Sequence, residues 1–243
     1  LKVLEPKENC LIKLVTFVPD AQADSVREVL FAAGRGNIGN YDSCSYNLKG
    51  EGTFRAKEGT HPFCGTIGEL HHENEVRIET ILPIYKKAEV IKALLSVHPY
   101  EEPAFDLYPL QNDWLQAGSG IVGELDESET ELEFLKRIKK IFEVGCVRHN
   151  KLTGREIQKV ALCGGAGAFL LPQAIRTGAD VFITGEIKYH DYFGHEGDIL
   201  MAEIGHYESE QYTKEIFYSI IRDLFPNFAL QLSKINTNPI KYL

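Results

Sequence analysis

The first clear apolar run is LIKLVTFVP at 11–19, a pattern that predicts a buried strand ended by Pro19. DAQADSVREVLFAAG follows, with Val26, Val29 and Leu30 at helical spacing, Asp20 near the N-cap and Gly34 as the stop. YDSCSYNLKGEGTFRA (41–56) alternates as a strand with a bend at its glycines, and GTIGELHHENEVRIETILP (65–83) predicts a hairpin-like pair. YKKAEVIKALLSVHP (85–99) is an amphipathic helix closed by His98-Pro99, and PAFDLYPL (103–110) a last short strand. The order β-α-β-β-α-β is the split, ferredoxin-like arrangement, an α+β pattern.

After the polar LQNDWLQAGSG the pattern changes. GIVGEL predicts a strand and SETELEFLKRIKKIF a helix, with Ser128 and Glu131 spaced as a capping box. Segments then alternate: KVALCGG, AFLLPQAIRTG, DVFITGE, IKYHDYFG, DILMAEIG, YESEQYTKEIFYSIIRDLF and FALQLSKI. Short continuous apolar strands between helices imply an α/β unit with a mainly parallel sheet covered on both faces. The two blocks are therefore 1–115 and 116–243, and 243 residues suit two domains of ordinary size.

Sites in parallel sheets lie beyond the C-terminal ends of strands, and three such ends carry unusual residues. KVALC runs into GGAGA, where Gly164, Gly165 and Gly167 allow either tight packing or backbone approach to an anion. Cys163 there reads as a small buried residue rather than a nucleophile, because no histidine is near it in sequence. DVFIT ends in GEIKYHD, which crowds Glu186, Lys188, His190 and Asp191 into one turn. Capping and surface charge account for Glu186 and Lys188 as readily as substrate contact does; His190 is a candidate acid/base group. DILMAEI ends at Gly205-His206, and Glu210 lies one helical turn beyond His206, so imidazole and carboxylate share a face. The helix dipole alone accounts for Glu208.

Bulk properties narrow the field. A net charge of −9 argues against sequence-independent nucleic-acid binding, and no apolar stretch approaches the ~18 residues of a membrane span. Five scattered cysteines (10, 44, 64, 146 and 163) without a C-x-x-C pair suggest reduced thiols in a cytoplasm. The chain opens LKVLEPKENC, without Met, and reads as starting within a longer protein.

ALCGGAGA, GADVFITGEIKYHD, IGHYESE and the terminal INTNPIKYL resemble the C-terminal half of the NIF-three-like family, over roughly 118–243. Its bacterial members are often labelled GTP cyclohydrolase I type 2 homologs. FVPDAQADSVREVLFAAGRGNIGNYDSCSY, GTFRAKEGTHPF and HPYEEPAFDLYPL resemble the CutA/PII-like domain that some bacterial members carry inserted between their halves. The resemblance implies two divalent metal ions per complete subunit, zinc first, with Fe, Mn or Mg as alternatives. It assigns His206 and Glu210 as ligands and puts a His-His pair and an Asp in an N-terminal half absent from this chain, which thus carries part of the ligand set. His71-His72 in ELHHEN is by this resemblance not the family's pair and is expected to be a solvated turn; His98, Glu101 and Glu102 are expected to serve packing or subunit contacts. Glu186 stands where related sequences commonly place Asp.

The function implied is a metal-dependent hydrolase acting on a nucleotide or a related phosphate or ring substrate, with His190 as proton relay and Gly164, Gly165, Gly167, Glu186 and Lys188 toward an anionic group. The alternative is a metal-dependent, non-catalytic oligomeric scaffold or regulator with a ligand-sensing insert, for which nucleic-acid contact is a further role that the acidic charge disfavours. The family also implies a cytoplasmic, toroidal homohexamer, a dimer of trimers.

Overall fold

The computed structural model describes residues 1–34 and 36–241. Two compact units emerge: Lys7–Trp114, and Leu1–Pro6 together with Leu115 onward. The opening strand β1 (Lys2–Lys7) thus joins the second block rather than the first, because it lies beside β6 (Trp114–Thr130) at one edge of that block's sheet. Nothing local in KVLEPK announces a partner more than a hundred residues away.

The Lys7–Trp114 unit contains β2 (Leu11–Pro19), α1 (Ala23–Ala32), β3 (Tyr46–Arg55), β4 (Leu70–Pro83), α2 (Lys87–Val97) and β5 (Phe105–Leu110), in an antiparallel sheet ordered β3-β4-β2-β5. The expected β-α-β-β-α-β order is present. Ile12, Leu14 and Val18 of β2 and Val76, Ile78 and Leu82 of β4 point to one face by their period of two. There they meet Val26 and Leu30 of α1 and Val90 and Leu94 of α2. Two readings change. Residues 65–83 are not a hairpin: 70–83 form one long strand, paired with β3 along its first part and β2 along its second, with Phe54 opposite His71 and Thr53 opposite His72. His71-His72 is accordingly strand, not a turn, and His71 is half-buried. Asp20 does not cap α1; its carboxylate pairs with Lys49 at 3.0 Å.

His98 closes α2 and is buried. Its Nε2 donates to the Phe17 carbonyl at 3.0 Å, and its Nδ1 accepts from the Tyr100 N–H at 3.1 Å. Only the neutral ring does both. Burial holds its pKa below the ordinary 6.5, against smaller opposing effects of the Phe17 carbonyl and the Glu75 carboxylate. A depressed histidine pKa means that the unfolded chain takes up the proton first, so stability is lost as pH falls below about 6.5. Urea melts between pH 8 and 5 are expected to show this slope in the native chain and a flatter one in His98→Gln.

The second sheet runs β1-β6-β8-β9-β10-β7, with β7 Arg148–His149, β8 Glu156–Cys163, β9 Val181–Thr184 and β10 Leu200–Glu203. It is mixed rather than mainly parallel: β8, β9 and β10 are parallel neighbours, whereas β6 on β8 and β7 on β10 are antiparallel. Alternation of strands and helices does not encode the direction of the flanking strands. The central strands are covered on both faces. Phe182 and Met201 face Leu170, Leu171 and Ala174 around α4 (Leu171–Arg176), while Val181, Ile183, Leu200 and Ala202 face Phe134, Leu135 and Ile138 of α3 (Glu131–Ile141).

The capping box of α3 lies two residues later than the spacing suggested. Thr130 Oγ1 accepts from the Glu133 N–H at 3.4 Å, and Glu133 Oε2 from the Thr130 N–H at 3.3 Å. Glu131 is instead buried and accepts from Thr153 N at 2.7 Å and Gly154 N at 2.9 Å. IKYHDYFG forms one 3-10 turn, Tyr189–Tyr192, rather than a helix. The long helix expected after Gly205 is broken into α5 (His206–Glu210) and α6 (Thr213–Leu224). The Tyr212 hydroxyl donates to the Ile141 carbonyl at 3.0 Å and Gln211 Nε2 to the Phe142 carbonyl at 3.3 Å, which fixes the break against the end of α3. FALQLSKI is not a strand, since the edges of the sheet are β1 and β7 and neither accepts it among the described residues. No helix of the described residues is long and apolar enough to cross a membrane.

Candidate metal centre

Because β8, β9 and β10 are parallel and adjacent, their C-terminal ends emerge side by side. Each runs straight into one of the motifs: Cys163 into Gly164-Gly165, Thr184 into Gly185-Glu186, and Glu203 into Gly205-His206. Gly205 makes the last turn with φ +95°, a conformation that suits glycine. It aims His206 back across the strand ends.

The close approach of the three segments is measurable. A Cβ at Gly185 would lie 2.7 Å from the Gly165 carbonyl oxygen and 2.9 Å from the Cα of His206. A Cβ at Gly165 would lie 2.4 Å from Glu210 Oε1 and 3.4 Å from His206 Nε2. The φ of +64° favours glycine at 165, and a Cβ there would also oblige the Glu210 carboxylate to shift. The Gly165 carbonyl accepts from Gly185 N at 2.9 Å and Glu186 N at 3.1 Å, which pins the β9 turn to the β8 turn.

Within this frame His206 Nδ1 lies 2.8 Å from Glu186 Oε1. An ionised carboxylate only accepts, so Nδ1 carries the hydrogen, and in the neutral ring Nε2 presents its lone pair. That lone pair points toward another acceptor: Nε2 and Glu210 Oε2 are 3.3 Å apart. A positive centre between them is favourable: a second ring proton, which makes the two an ion pair, or a metal ion. Ligands at ~2.0–2.2 Å from one tetrahedral zinc ion sit ~3.3–3.6 Å apart, so the pair is spaced to share a cation. All three side chains remain substantially exposed, at 43% for His206, 57% for Glu186 and 52% for Glu210, so the site is open to solvent.

Other sequence candidates are placed differently. Gly167 lies one step lower, its N–H donating to Thr184 Oγ1 at 3.0 Å, and a Cβ there would meet Cys163 and Thr184. The Gly165 N–H donates to Ser209 Oγ at 2.8 Å. These two amides are therefore engaged inside the protein. Lys188 and His190 are exposed; the His190 ring stands edge-on to Tyr189, and no hydrogen bond or ion pair joins either residue to His206 or Glu210 among the described residues. Burial pushes the Cys163 thiol up, and the nearby Glu210 carboxylate adds to the effect, which keeps it protonated and a poor nucleophile.

Two residues of the site escaped sequence reasoning. Ser209 ties the Gly165 N–H to the His206 carbonyl, at 2.8 Å on each side. Thr184, the sole polar residue of an otherwise apolar strand, holds the Gly167 turn. That solitary threonine was the only visible signal for it. Glu208 proves to be buried, its Oε1 accepting from Asn238 Nδ2 at 2.9 Å and so anchoring the terminal segment.

Fold and site together define a two-unit protein of mixed α/β type, with a His/Glu pair at the meeting point of three parallel strand ends. The model of the Duf34/NIF3 (NGG1p interacting factor 3) family matches residues 15–239, and the chain belongs to that family. A "GTP cyclohydrolase 1 type 2 homolog" of Halalkalibacterium halodurans is 41% identical over 248 residues, covering 100% of this chain and 67% of that protein. One of Bacillus subtilis with the same description is 35% identical, covering 96% of this chain and 64% of its own. Among solved structures, a Bacillus cereus protein related to NIF3 superimposes with a TM-score of 0.80 at 34% identity, over 99% of this chain and 65% of that one. The chain thus spans about two thirds of the length of the relatives it matches.

Proposed function

We propose that this chain carries part of a divalent-metal site of a hydrolase acting on a nucleotide or a related phosphate or ring substrate. The observation that carries the reading is the facing pair His206 Nε2 and Glu210 Oε2, 3.3 Å apart with Glu186 on the opposite ring nitrogen. His206 would hold the metal through Nε2 and Glu210 through its carboxylate; Glu186 holds the imidazole in the right tautomer. Divalent cations bound there supply Lewis-acid polarisation of the bond to be cleaved; zinc suits the imidazole and carboxylate donors, with Fe, Mn and Mg as alternatives. Gly164 and Gly165 keep side chains out of the space in front of Glu210, which admits a substrate group to the carboxylate. Lys188 and His190, exposed just past β9, are proposed to meet an anionic group and to move a proton. The descriptions of the relatives as GTP cyclohydrolase homologs support a nucleotide as the first substrate to try.

We read Lys7–Trp114 as a CutA/PII-like insert in a longer, cytoplasmic protein that assembles as a toroidal hexamer, a dimer of trimers. The sheet order β3-β4-β2-β5 supports the first part. The exposed apolar face of α6, with Ile216, Phe217, Ile220 and Leu224, supports assembly. A second reading, a metal-dependent scaffold without catalysis, is favoured by the engagement of the Gly165 and Gly167 amides within the protein, which leaves fewer donors for a substrate phosphate. The parent-length protein, stripped by a chelator and reloaded with Zn, Mn, Fe or Mg, is expected to turn over at least one member of a nucleotide panel only when loaded. Stoichiometric metal with no turnover of any nucleotide would replace the hydrolase reading by the scaffold.

A further inference from the structure

We propose that Cys64, His71 and Glu73 form a second divalent-cation site, in the Lys7–Trp114 unit, for a borderline metal of the zinc type. One ligand atom from each lies within 4.8 Å of the other two. His71 and Glu73 are two apart on β4 and so project from the same face of the sheet. His71 Nε2 and Glu73 Oε2 are 2.8 Å apart. Cys64 comes from the segment between β3 and β4, and both of its neighbours are fastened over that face. Phe63 packs on the Tyr100 ring with centroids 6.3 Å apart. Gly65, with φ +78°, lies so close to the His71 ring that a Cβ there would be 2.8 Å from Cγ. The thiol is therefore held over the imidazole by packing on both sides, and Phe54, 5.2 Å from the His71 ring and 5.8 Å from the Tyr100 ring, backs the cluster.

The donor set selects the metal. A thiolate, an imidazole and a carboxylate together suit zinc, cobalt(II) or iron(II), whereas magnesium and calcium prefer oxygen throughout. Three protein ligands leave a fourth position open. Ligand atoms around zinc sit ~3.3–3.8 Å apart, so three atoms that all lie within 4.8 Å of one another can reach a shared ion by side-chain rotation. His71 and Glu73 keep 26% of their side chains exposed, enough for an ion to enter. Burial and the Glu73 carboxylate push the Cys64 thiol up, so without a cation it stays protonated; a bound cation reverses that balance. The competing account is a half-buried His-Glu ion pair with a cysteine beside it and no affinity for metal.

Cobalt(II) separates the two accounts, since coordinated thiolate produces an intense near-ultraviolet charge-transfer band that imidazole and carboxylate do not. Titration of the 243-residue chain is expected to develop this band with one equivalent of metal. It should disappear in Cys64→Ser and survive in Cys163→Ser and Cys146→Ser. His71→Ala and Glu73→Gln should each weaken cobalt binding at least tenfold, with circular dichroism unchanged in all five variants. A band that persists in Cys64→Ser, or no band at one equivalent of metal, overturns the proposal. The readout does not depend on His206 or on any turnover, so its failure leaves the hydrolase reading untouched.

Discussion

Truncating Phe182 to Ala is expected to lower the unfolding free energy by about 3–5 kcal/mol, the range for deleting a buried aromatic ring. Phe182 is fully buried in the middle of β9, which has β8 on one side and β10 on the other. Its ring packs with Leu170, Ala174 and Met201, and neither neighbouring strand can close the void without breaking its ladder. The consequence extends beyond stability, because the same strand leads through Thr184 into Gly185 and Glu186 at the candidate site. Urea unfolding at neutral pH measures the loss; Phe182→Leu, which retains most of the volume, should cost under ~1.5 kcal/mol. A loss below 1 kcal/mol for the alanine variant would mean that β9 is not the centre of this core.

His206→Ala should abolish the metal affinity proposed for the strand-end site while leaving the fold intact. The side chain is 43% exposed, so the expected stability change is within about 1 kcal/mol. Glu186→Gln tests the same centre from one bond further out. The glutamine amide can rotate to donate as well as accept, so it no longer enforces hydrogen on Nδ1 and a free Nε2. Loss of such an outer partner costs ~10–100-fold in metal affinity, and His206→Ala should exceed that. Competition titration against a chromophoric chelator, on the parent-length protein, gives both numbers. Equal affinity in native protein and His206→Ala would remove this histidine from the site. A loss with His206→Ala and none with Glu186→Gln would leave the ligand in place and discard the tautomer argument.

Much of the fold was legible along the chain, for an identifiable reason. LIKLVTFVP and VFIT are strands over nearly the residues read, because a strand buried on both faces or against helices leaves a local record in its apolar run. The helix 87–97 left its record in 3.6-residue spacing. The failures share the opposite property. GTIGELHHENEVRIETILP looked like a hairpin with its turn at His71-His72, yet 70–83 is one strand between β3 and β2 and the turn lies before Leu70. YESEQYTKEIFYSIIRDLF looked like one helix since periodicity continues through Tyr212, but contacts to the end of α3 interrupt it. Ser128-Glu131 and Thr130-Glu133 have the same spacing, and only the place where β6 ends chooses between them.

The same division runs through the site. His206 and Glu210 are one helical turn apart, so their shared face follows from local geometry alone. So does the clustering of unusual residues where apolar runs stop. That Glu186 belongs to His206, that Gly165 faces Glu210, and that Ser209 clamps Gly165 were decided by β8, β9 and β10 lying parallel and adjacent. The approach of Cys64 to His71 and Glu73 was likewise decided by a segment folding back over β4. Hydrophobic periodicity records which side of an element is buried, a property of neighbours along the chain. Which elements then meet depends on backbone hydrogen bonds between distant residues, whose donors and acceptors are the same at every position.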